Sequence, residues 1–206
     1  MALHCSATLF VARHGDATYG HAPVLSTEGG ALTALGRSQV RSLAEGLATQ
    51  RIARVFSSRM TRAVQSAEIA AEVLGVDHVV VDGLEEIDPG AYTGRSFSDP
   101  QWHAILDAWF AGQDDVRVEG AQSGAELFAR YRDALESIAD AHRGERVLVI
   151  SHGGVMSLAL PRLTVNTDSA AARGRFLPNA VPAQVEIGDD GWWLRSWPGA
   201  ADPDVV

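Results

Sequence analysis

Lysine is absent from this 206-residue sequence, so that all 17 basic residues are arginines. The absence excludes enzymes that depend on a P-loop lysine, a Schiff-base lysine or a lysine that carries pyridoxal phosphate. Arginine instead presents a planar guanidinium group, which can hold phosphate or carboxylate oxygens at two points. We therefore expect an anionic ligand to be bound by arginine side chains.

Cysteine and positive charge are also scarce. Cys5 is the single cysteine, which excludes an intramolecular disulfide, and the sequence has neither a secretory signal nor an apolar run of membrane-spanning length. The formal net charge is −9, which disfavours nucleic acids and anionic membranes as partners because both require a positive surface. We expect a soluble, cytoplasmic protein whose partner is a small anionic substrate.

Apolar runs and turn signals alternate along the chain as in an α/β protein. We expect strands at 7–12, 53–56, 78–81 and 147–150, helices at 33–50, from a Ser57-Ser58 cap to 74, at 101–110, 123–142 and 153–160 (stopped by Pro161), and a hairpin at 181–187 and 192–197. This order predicts a three-layer α/β/α sandwich with a mostly parallel central sheet and a C-terminal antiparallel hairpin. The prediction is one domain at 1–197, a disordered tail at 198–206 and a homodimer that could pair through the hairpin edge.

Two histidine motifs follow two of the predicted strands. Arg13-His14-Gly15 ends the first apolar run, and Ser151-His152-Gly153-Gly154 ends the fourth. Because ligands of parallel sheets bind at the carboxyl ends of the strands, we expect both imidazoles at one edge. A histidine beside an arginine there suggests a reactive group next to an anion clamp. The strand-to-helix turn adds unpaired N–H groups, which favour a phosphoryl group.

Further charged candidates lie between the two histidine motifs. Arg59 and Arg62 are three residues apart and project from one side of a first helical turn, so that either could reach a ligand above the sheet. For Arg59 the favoured interpretation is a surface ion pair. The loop after the third strand offers Glu85, Glu86 and Asp88 as carboxyl candidates.

Two other enzyme classes fit parts of this pattern. His14, Asp16 and His152 could bind a metal, but neither an HExxH motif nor a cysteine pair accompanies them. Ser151 beside His152 is similar to an esterase motif, but Val149 stands where the nucleophile elbow requires glycine. Both interpretations are therefore disfavoured.

Five motifs in one order are typical of a known family. They are Arg13-His14-Gly15, Leu32-Thr33-Ala34-Leu35-Gly36-Arg37, Ser57-Ser58 through Arg62-Ala63, Leu84-x-Glu86 with Gly90 and Gly94, and Ser151-His152-Gly153-Gly154. Together they resemble the histidine phosphatase superfamily, also called phosphoglycerate-mutase-like, from residue 7 to about residue 160. Arg-His-Gly alone is a weak signal, whereas five motifs in register are a strong one.

The resemblance implies a role for each candidate residue. His14 would be the phosphorylated nucleophile, and Glu86 would donate a proton to the leaving group and then activate water as a base. Arg13, Arg62 and His152 would hold the phosphoryl oxygens and stabilise the in-line transition state. Neither a metal nor another cofactor is implied. The implied activity is a phosphomonoesterase that acts on a small phosphorylated metabolite.

Departures from the family pattern bear on the substrate. Asp16, Ala17 and Gly20 stand where many members have Glu or Gln, Ser or Thr, and Asn. Arg-His-Gly-Asp-Ala also resembles the small phosphohistidine-protein phosphatases, but these generally lack the donor found here as Glu86. The short interval to the second histidine motif resembles the short phosphatase branch. Mutase-type phosphotransfer, phosphohistidine-protein dephosphorylation and non-catalytic phosphate binding are the alternatives.

The aromatic segment at 101–110 is the remaining feature with two interpretations. It carries Trp102, Trp109 and Phe110, and core packing is the favoured role for this group. If the segment lines the mouth of the site instead, it favours a substrate with an apolar or ring-shaped part.

Overall fold

Strands and helices alternate along most of the chain. The computed structural model describes residues 5–19, 24–27, 30–167 and 177–198. The elements in these ranges are β1 (Ala7–Arg13), α1 (Ala34–Leu47), β2 (Ile52–Ser57), α2 (Thr61–Leu74), β3 (His78–Val80), α3 (Pro100–Phe110), α4 (Gly124–Ala141), β4 (Arg146–Ser151), α5 (Gly153–Leu163), β5 (Pro182–Gly188) and β6 (Gly191–Ser196). Short 3₁₀ helices cover Ala48–Gln50 and Gly90–Tyr92. The predicted disordered tail beyond Pro198 lies outside the described residues.

The six strands form one sheet in the order β3-β2-β4-β1-β5-β6. Pairing is parallel from β3 to β1 and antiparallel from β1 through β5 to β6. This confirms the predicted mostly parallel sheet with a C-terminal antiparallel hairpin. β4 lies between β1 and β2, although it follows both in sequence. The carboxyl ends of these three strands therefore meet at one edge.

Helices cover both faces of the sheet, so that its central strands are buried on both sides. On β1, Phe10 and Ala12 pack into one apolar core with α1 and α2. Leu9 and Val11 pack into a second core with α3, α4 and α5. A strand buried on both faces requires a continuous apolar run rather than an alternating one. The predicted three-layer α/β/α sandwich is thereby confirmed.

Two helix boundaries differ from the prediction. α2 begins at Thr61 rather than at a Ser57-Ser58 cap, and its N-cap residue Met60 makes no side-chain cap bond. α5 does not stop before Pro161 but continues to Leu163. Pro161 lacks a backbone N–H, but it is buried within the helix, which continues for two more residues. Within the described residues, the helices lack the length and apolar composition that a membrane crossing demands.

A close backbone contact holds the loop after β1 against α1. A Cβ on Gly15 would lie 2.5 Å from the Gly36 carbonyl oxygen, and a Cβ on Gly36 would lie 2.0 Å from the Asp16 carbonyl oxygen. Only glycine fits at these two positions. The Thr33 hydroxyl donates to the Asp16 carboxylate at 2.6 Å and accepts from the Gly36 N–H at 3.0 Å. The first histidine motif is thereby fixed beside the start of α1.

Candidate active site

The two histidine motifs meet at the carboxyl edge of the sheet, as predicted. Arg13 and Ser151 are partners in the register between β1 and β4, so that the residues after them are adjacent. The His14 N–H donates to the Ser151 carbonyl at 3.0 Å. The ring centroids of His14 and His152 are 5.3 Å apart. A cavity of about 500 Å³ opens here, lined in part by Arg13, His14, Arg62 and Glu86.

The hydrogen bonds of His14 fix its tautomer. Nδ1 lies 2.7 Å from the Gly15 carbonyl oxygen, which can only accept, so Nδ1 carries the proton. The Nε atom of Arg62 donates to Nε2 at 2.9 Å. Burial lowers the pKa of His14 to about 3, with the charges of Arg62 and Arg13 acting in the same direction and the Gly15 hydrogen bond opposing them. The ring is therefore neutral at ordinary pH, with the lone pair on Nε2.

Two arginines on different elements line the cavity with His14. Arg62 is in the first turn of α2 and is 2% exposed, and burial lowers its pKa. Its Nη1 atom is buried without a hydrogen-bond partner among the described residues. Arg13, at the end of β1, donates from Nη1 to the Leu177 carbonyl at 3.0 Å. A buried guanidinium nitrogen without a hydrogen-bond partner is unfavourable, so an anion bound at Nη1 of Arg62 would stabilise this arrangement.

His152 supplies a further donor. Its Nε2 atom lies 2.7 Å from the Ser58 hydroxyl, and that hydroxyl accepts from the Met60 N–H at 3.4 Å. With the hydroxyl proton directed at Nε2, the ring proton is on Nδ1, which is buried without a partner in the described part of the chain. Burial lowers the pKa of His152 well below its usual value, and Arg62 reinforces the effect. Neutral His152 therefore carries an N–H without a partner at Nδ1, although its fully buried ring is not among the described residues that line the cavity.

Glu86 lies at the amino end of α5. Its carboxylate accepts from the N–H groups of Gly154 at 2.9 Å, Val155 at 2.8 Å and Ile87 at 3.0 Å. The Arg130 guanidinium holds this loop through backbone carbonyls, including that of Glu86 at 3.1 Å. A helix amino end is a favourable place for a carboxylate. Glu86 is thus brought to the cavity beside both histidines.

The competing carboxylates point elsewhere. Glu85 accepts from the Gly83 N–H at 2.8 Å and forms an ion pair with Arg59 at 3.4 Å, as favoured for Arg59 from the sequence. Asp88 accepts from the Gly90 N–H at 2.9 Å. Neither carboxylate lines the cavity within the described residues. Among the described residues, Glu86 is the one of these three acidic side chains that lines the cavity together with His14.

The aromatic residues of α3 divide between the two roles considered for them. Trp109 is fully buried, and its indole N–H donates to the Val116 carbonyl at 2.8 Å. Phe110 packs against the same core. Trp102, in contrast, lines the cavity. Core packing therefore describes Trp109 and Phe110, and the substrate-lining alternative describes Trp102.

Two residues near His14 and His152 were not predicted as part of the site. The Tyr19 hydroxyl lies 3.3 Å from Nε2 of His14, and the Arg62 guanidinium lies 5.6 Å from the centroid of its ring. The position of Tyr19 in the loop after His14 is the one feature of the sequence that indicates a place in the site. Ser58 was predicted as a helix cap, but its hydroxyl bonds His152.

The carboxylate of Asp16, the acidic group of the metal-site alternative, accepts from the Thr33 hydroxyl. In the described part of the chain, no group of three histidine, cysteine or acidic side chains is arranged to hold a metal ion.

Comparison with known proteins decides the family. The family described as Histidine phosphatase superfamily (branch 1) matches residues 9–198. The chain belongs to this superfamily. It is 31% identical over 195 residues to a metal-independent phosphoserine phosphatase of Arabidopsis thaliana, covering 92% of this chain and 80% of that protein. It is 27% identical to a probable phosphoglycerate mutase of Yersinia enterocolitica, covering 92% of this chain and 89% of that protein.

Solved structures agree on the histidine phosphatase fold. A mycobacterial glucosyl-3-phosphoglycerate phosphatase in complex with VO3 has a TM-score of 0.76 at 23% identity, with coverage of 94% of this chain and 99% of that one. YhfR of Bacillus stearothermophilus has a TM-score of 0.78 at 21% identity, with coverage of 95% and 98%.

Proposed function

We propose that the protein is a metal-independent phosphomonoesterase that hydrolyses a small phosphorylated metabolite through a phosphohistidine at His14. The observation that carries the proposal is the neutral His14 ring, whose Nε2 lone pair lies beside Arg62 at the cavity. A neutral imidazole is nucleophilic, and the unpaired donors of Arg62 and His152 suit phosphoryl oxygens.

In the first step, the Arg62 N–H leaves Nε2 of His14 for a phosphoryl oxygen, and the freed Nε2 lone pair attacks phosphorus in line with the ester oxygen. The N–P bond forms as the P–O ester bond breaks, and the leaving oxygen takes a proton from the carboxyl group of Glu86. Arg13, Arg62 and His152 bind the non-bridging oxygens.

In the second step, water attacks the phosphohistidine. Glu86, now a carboxylate, accepts a proton from the water while the new P–O bond forms. The N–P bond breaks, and its electron pair returns to Nε2 of His14. Inorganic phosphate leaves, and neutral His14 and protonated Glu86 are restored. The cycle uses only groups on this chain and water.

Phosphate release from a chromogenic phosphomonoester, with chelator present, tests the proposal. We expect turnover by the wild type and none by His14→Ala. The kcat of Glu86→Gln should be lower than that of the wild type by a factor of about 100 or more. Glu85→Gln is the matched control, because the neighbouring carboxylate pairs with Arg59 instead, and it should retain activity. Loss of activity with chelator that divalent metal restores would contradict the mechanism.

Mutase-type phosphotransfer is the second candidate, favoured by the likeness to a probable phosphoglycerate mutase. Incubation with a phosphoglycerate separates the two reactions. We expect release of inorganic phosphate, or no reaction, rather than isomerisation. Isomerisation as the main outcome would replace hydrolysis as the assigned function.

A further inference from the structure

The cavity beside His14 is much larger than a phosphoryl group needs. At about 500 Å³, its volume is that of a site for a small organic molecule. Arg13, His14 and Arg62 provide the part that suits a phosphoryl group. The remaining volume is available to the alcohol from which the phosphate is cleaved, so the residues that line it indicate the chemistry of that alcohol.

Most of this remaining lining is apolar. We call it the apolar wall, and it consists of Leu25, Ile87, Pro89, Phe97, Trp102 and Leu106. Trp102 is 5% exposed, and its ring packs against Tyr92 with centroids 6.0 Å apart. Its backbone N–H donates to the carboxylate of the Asp99 cap of α3 at 3.3 Å. It is therefore a fixed aromatic surface rather than a mobile side chain.

Phe97 differs from Trp102 because it is 44% exposed. Its ring meets the Tyr19 ring edge-on, with centroids 6.5 Å apart, and the Tyr19 hydroxyl lies 3.3 Å from Nε2 of His14. This series of contacts places Phe97 near a group bonded to a phosphoryl that sits on His14. An apolar ligand that covers the exposed ring gains free energy by removing apolar surface from water.

The charges of the lining disfavour a second anionic group on the substrate. Among the described residues, the arginines that line the cavity are Arg13 and Arg62, and the phosphoryl group uses both. The guanidinium of nearby Arg59 is paired with Glu85 at 3.4 Å. Ser26, His103 and Ser157 are the other described residues of the lining with polar side chains that can donate a hydrogen bond. A carboxylate placed on the apolar wall itself would lose its hydration without an arginine to replace it.

We propose that the substrates are phosphate esters of alcohols that carry an apolar ring, which the apolar wall binds. This inference rests on the proposed phosphomonoesterase activity and narrows it to one substrate class. It separates the protein from relatives that are named for phosphoserine or phosphoglycerate, since both of those compounds carry a carboxylate.

Competing substrates, two of which have leaving alcohols of nearly equal acidity, provide the test. The probes are 3-phenylpropyl phosphate, n-propyl phosphate and phosphoserine, because the two simple alcohols differ in the ring and hardly in acidity. We expect kcat/KM for 3-phenylpropyl phosphate to exceed that for n-propyl phosphate by about 10- to 100-fold, the gain expected from burial of a phenyl group. Phosphoserine should rank with or below n-propyl phosphate.

A pair of serine variants connects this preference to the apolar wall. Phe97→Ser should lower the ratio of kcat/KM for 3-phenylpropyl phosphate to kcat/KM for n-propyl phosphate by about fivefold. The phenyl group of the substrate loses its contact with the exposed ring of Phe97. Trp193→Ser is the matched control, because Trp193 is a similarly exposed aromatic side chain on β6 and does not line the cavity within the described residues. The kcat/KM ratio of Trp193→Ser should equal that of the wild type.

The outcomes separate this inference from the proposed function. Hydrolysis of all three esters with phosphoserine preferred, or with equal rates for the two simple esters, overturns the substrate class and leaves the phosphomonoesterase intact. An equal drop in the ratio for Phe97→Ser and Trp193→Ser also overturns it. If none of the esters is hydrolysed by the wild type, the proposed function itself fails, and the substrate class fails with it.

Discussion

At the scale of single residues, Ser58 acts on phosphate binding through His152. Its hydroxyl is hydrogen-bonded to Nε2 of His152 at 2.7 Å. We assign the hydroxyl as the donor, which keeps the ring proton on Nδ1. Ser58→Ala removes this constraint, so that the other tautomer, which offers no donor at Nδ1, becomes populated. We expect kcat/KM for phosphomonoester hydrolysis to fall about tenfold, as for other groups that orient a functional histidine.

Ser57→Ala provides the control for this variant. Ser57 is also buried, but its hydroxyl lies against the Ser58 carbonyl at 2.8 Å and the His78 ring at 2.9 Å. Both alanine variants lose a buried hydroxyl, so similar losses of stability are expected, whereas only Ser58→Ala should weaken inhibition by inorganic phosphate. Ser58→Thr, which keeps the hydroxyl, should restore part of the activity. Equal inhibition constants in the two alanine variants would contradict the assigned role.

The residues of the site were predictable from the sequence to different degrees. Arg13, His14 and His152 lie directly at strand ends, where local pattern and sheet geometry suffice to bring them together. Glu86 needed the family resemblance, because Glu85 is equally placed along the chain. Ser58 could not be assigned, since a serine before a helix has the same local signal whether it caps that helix or bonds a histidine 94 positions away.

At the scale of elements, the amino end of α5 holds Glu86 and leaves no room for a side chain at Gly154. A Cβ at this position would lie 2.7 Å from Oε1 of Glu86. Because that oxygen is the end of a flexible side chain, Gly154→Ala should displace the carboxylate rather than unfold the helix. We expect kcat to fall about 100-fold, the order expected for a catalytic group misplaced by about 1 Å.

The readouts for Gly154→Ala are kcat and the free energy of unfolding in urea, which should change by less than about 1 kcal/mol. Gly46→Ala in α1 is the matched control, because a Cβ there meets no atom within 4 Å. That variant should be stabilised by about 0.5–1 kcal/mol at unchanged activity. If Gly154→Ala retained wild-type kcat, the observed position of Glu86 would have no part in turnover.

The elements themselves were largely predictable, because apolar runs and helical periodicity report directly on burial. The strands at the centre of the sheet are buried on both faces, which explains their continuous apolar sequence. The predictions for the start of α2 and the end of α5 were wrong for the same physical reason. Ser58 and Pro161 carry strong local signals, but tertiary contacts use the Ser58 hydroxyl elsewhere and bury Pro161 within its helix.

At the scale of the whole molecule, the folded state disfavours the protonated forms of the two histidines in its site. His14 and His152 are buried beside Arg62 and Arg13, and burial lowers the pKa of both histidines. Their neutral forms are therefore favoured in the folded state. In the unfolded chain, each histidine titrates near its ordinary pKa of about 6.5. Acidification should accordingly favour unfolding, even above the pH range in which carboxylates take up protons.

The contribution of His14 to this pH dependence can be isolated with His14→Gln. A folded-state pKa of about 3 against an unfolded value of 6.5 means that the stability present above pH 6.5 is lost as the pH falls toward 3, since only the unfolded chain gains the proton. Between pH 7 and pH 5, the free energy of unfolding of the wild type should decrease by about 2 kcal/mol more than that of His14→Gln. Urea unfolding in phosphate-free buffer at both pH values measures this difference, with circular dichroism confirming that the variant is folded. A difference near zero would mean that His14 is protonated in the free protein at pH 5, and its lone pair would then be unavailable for attack in mild acid.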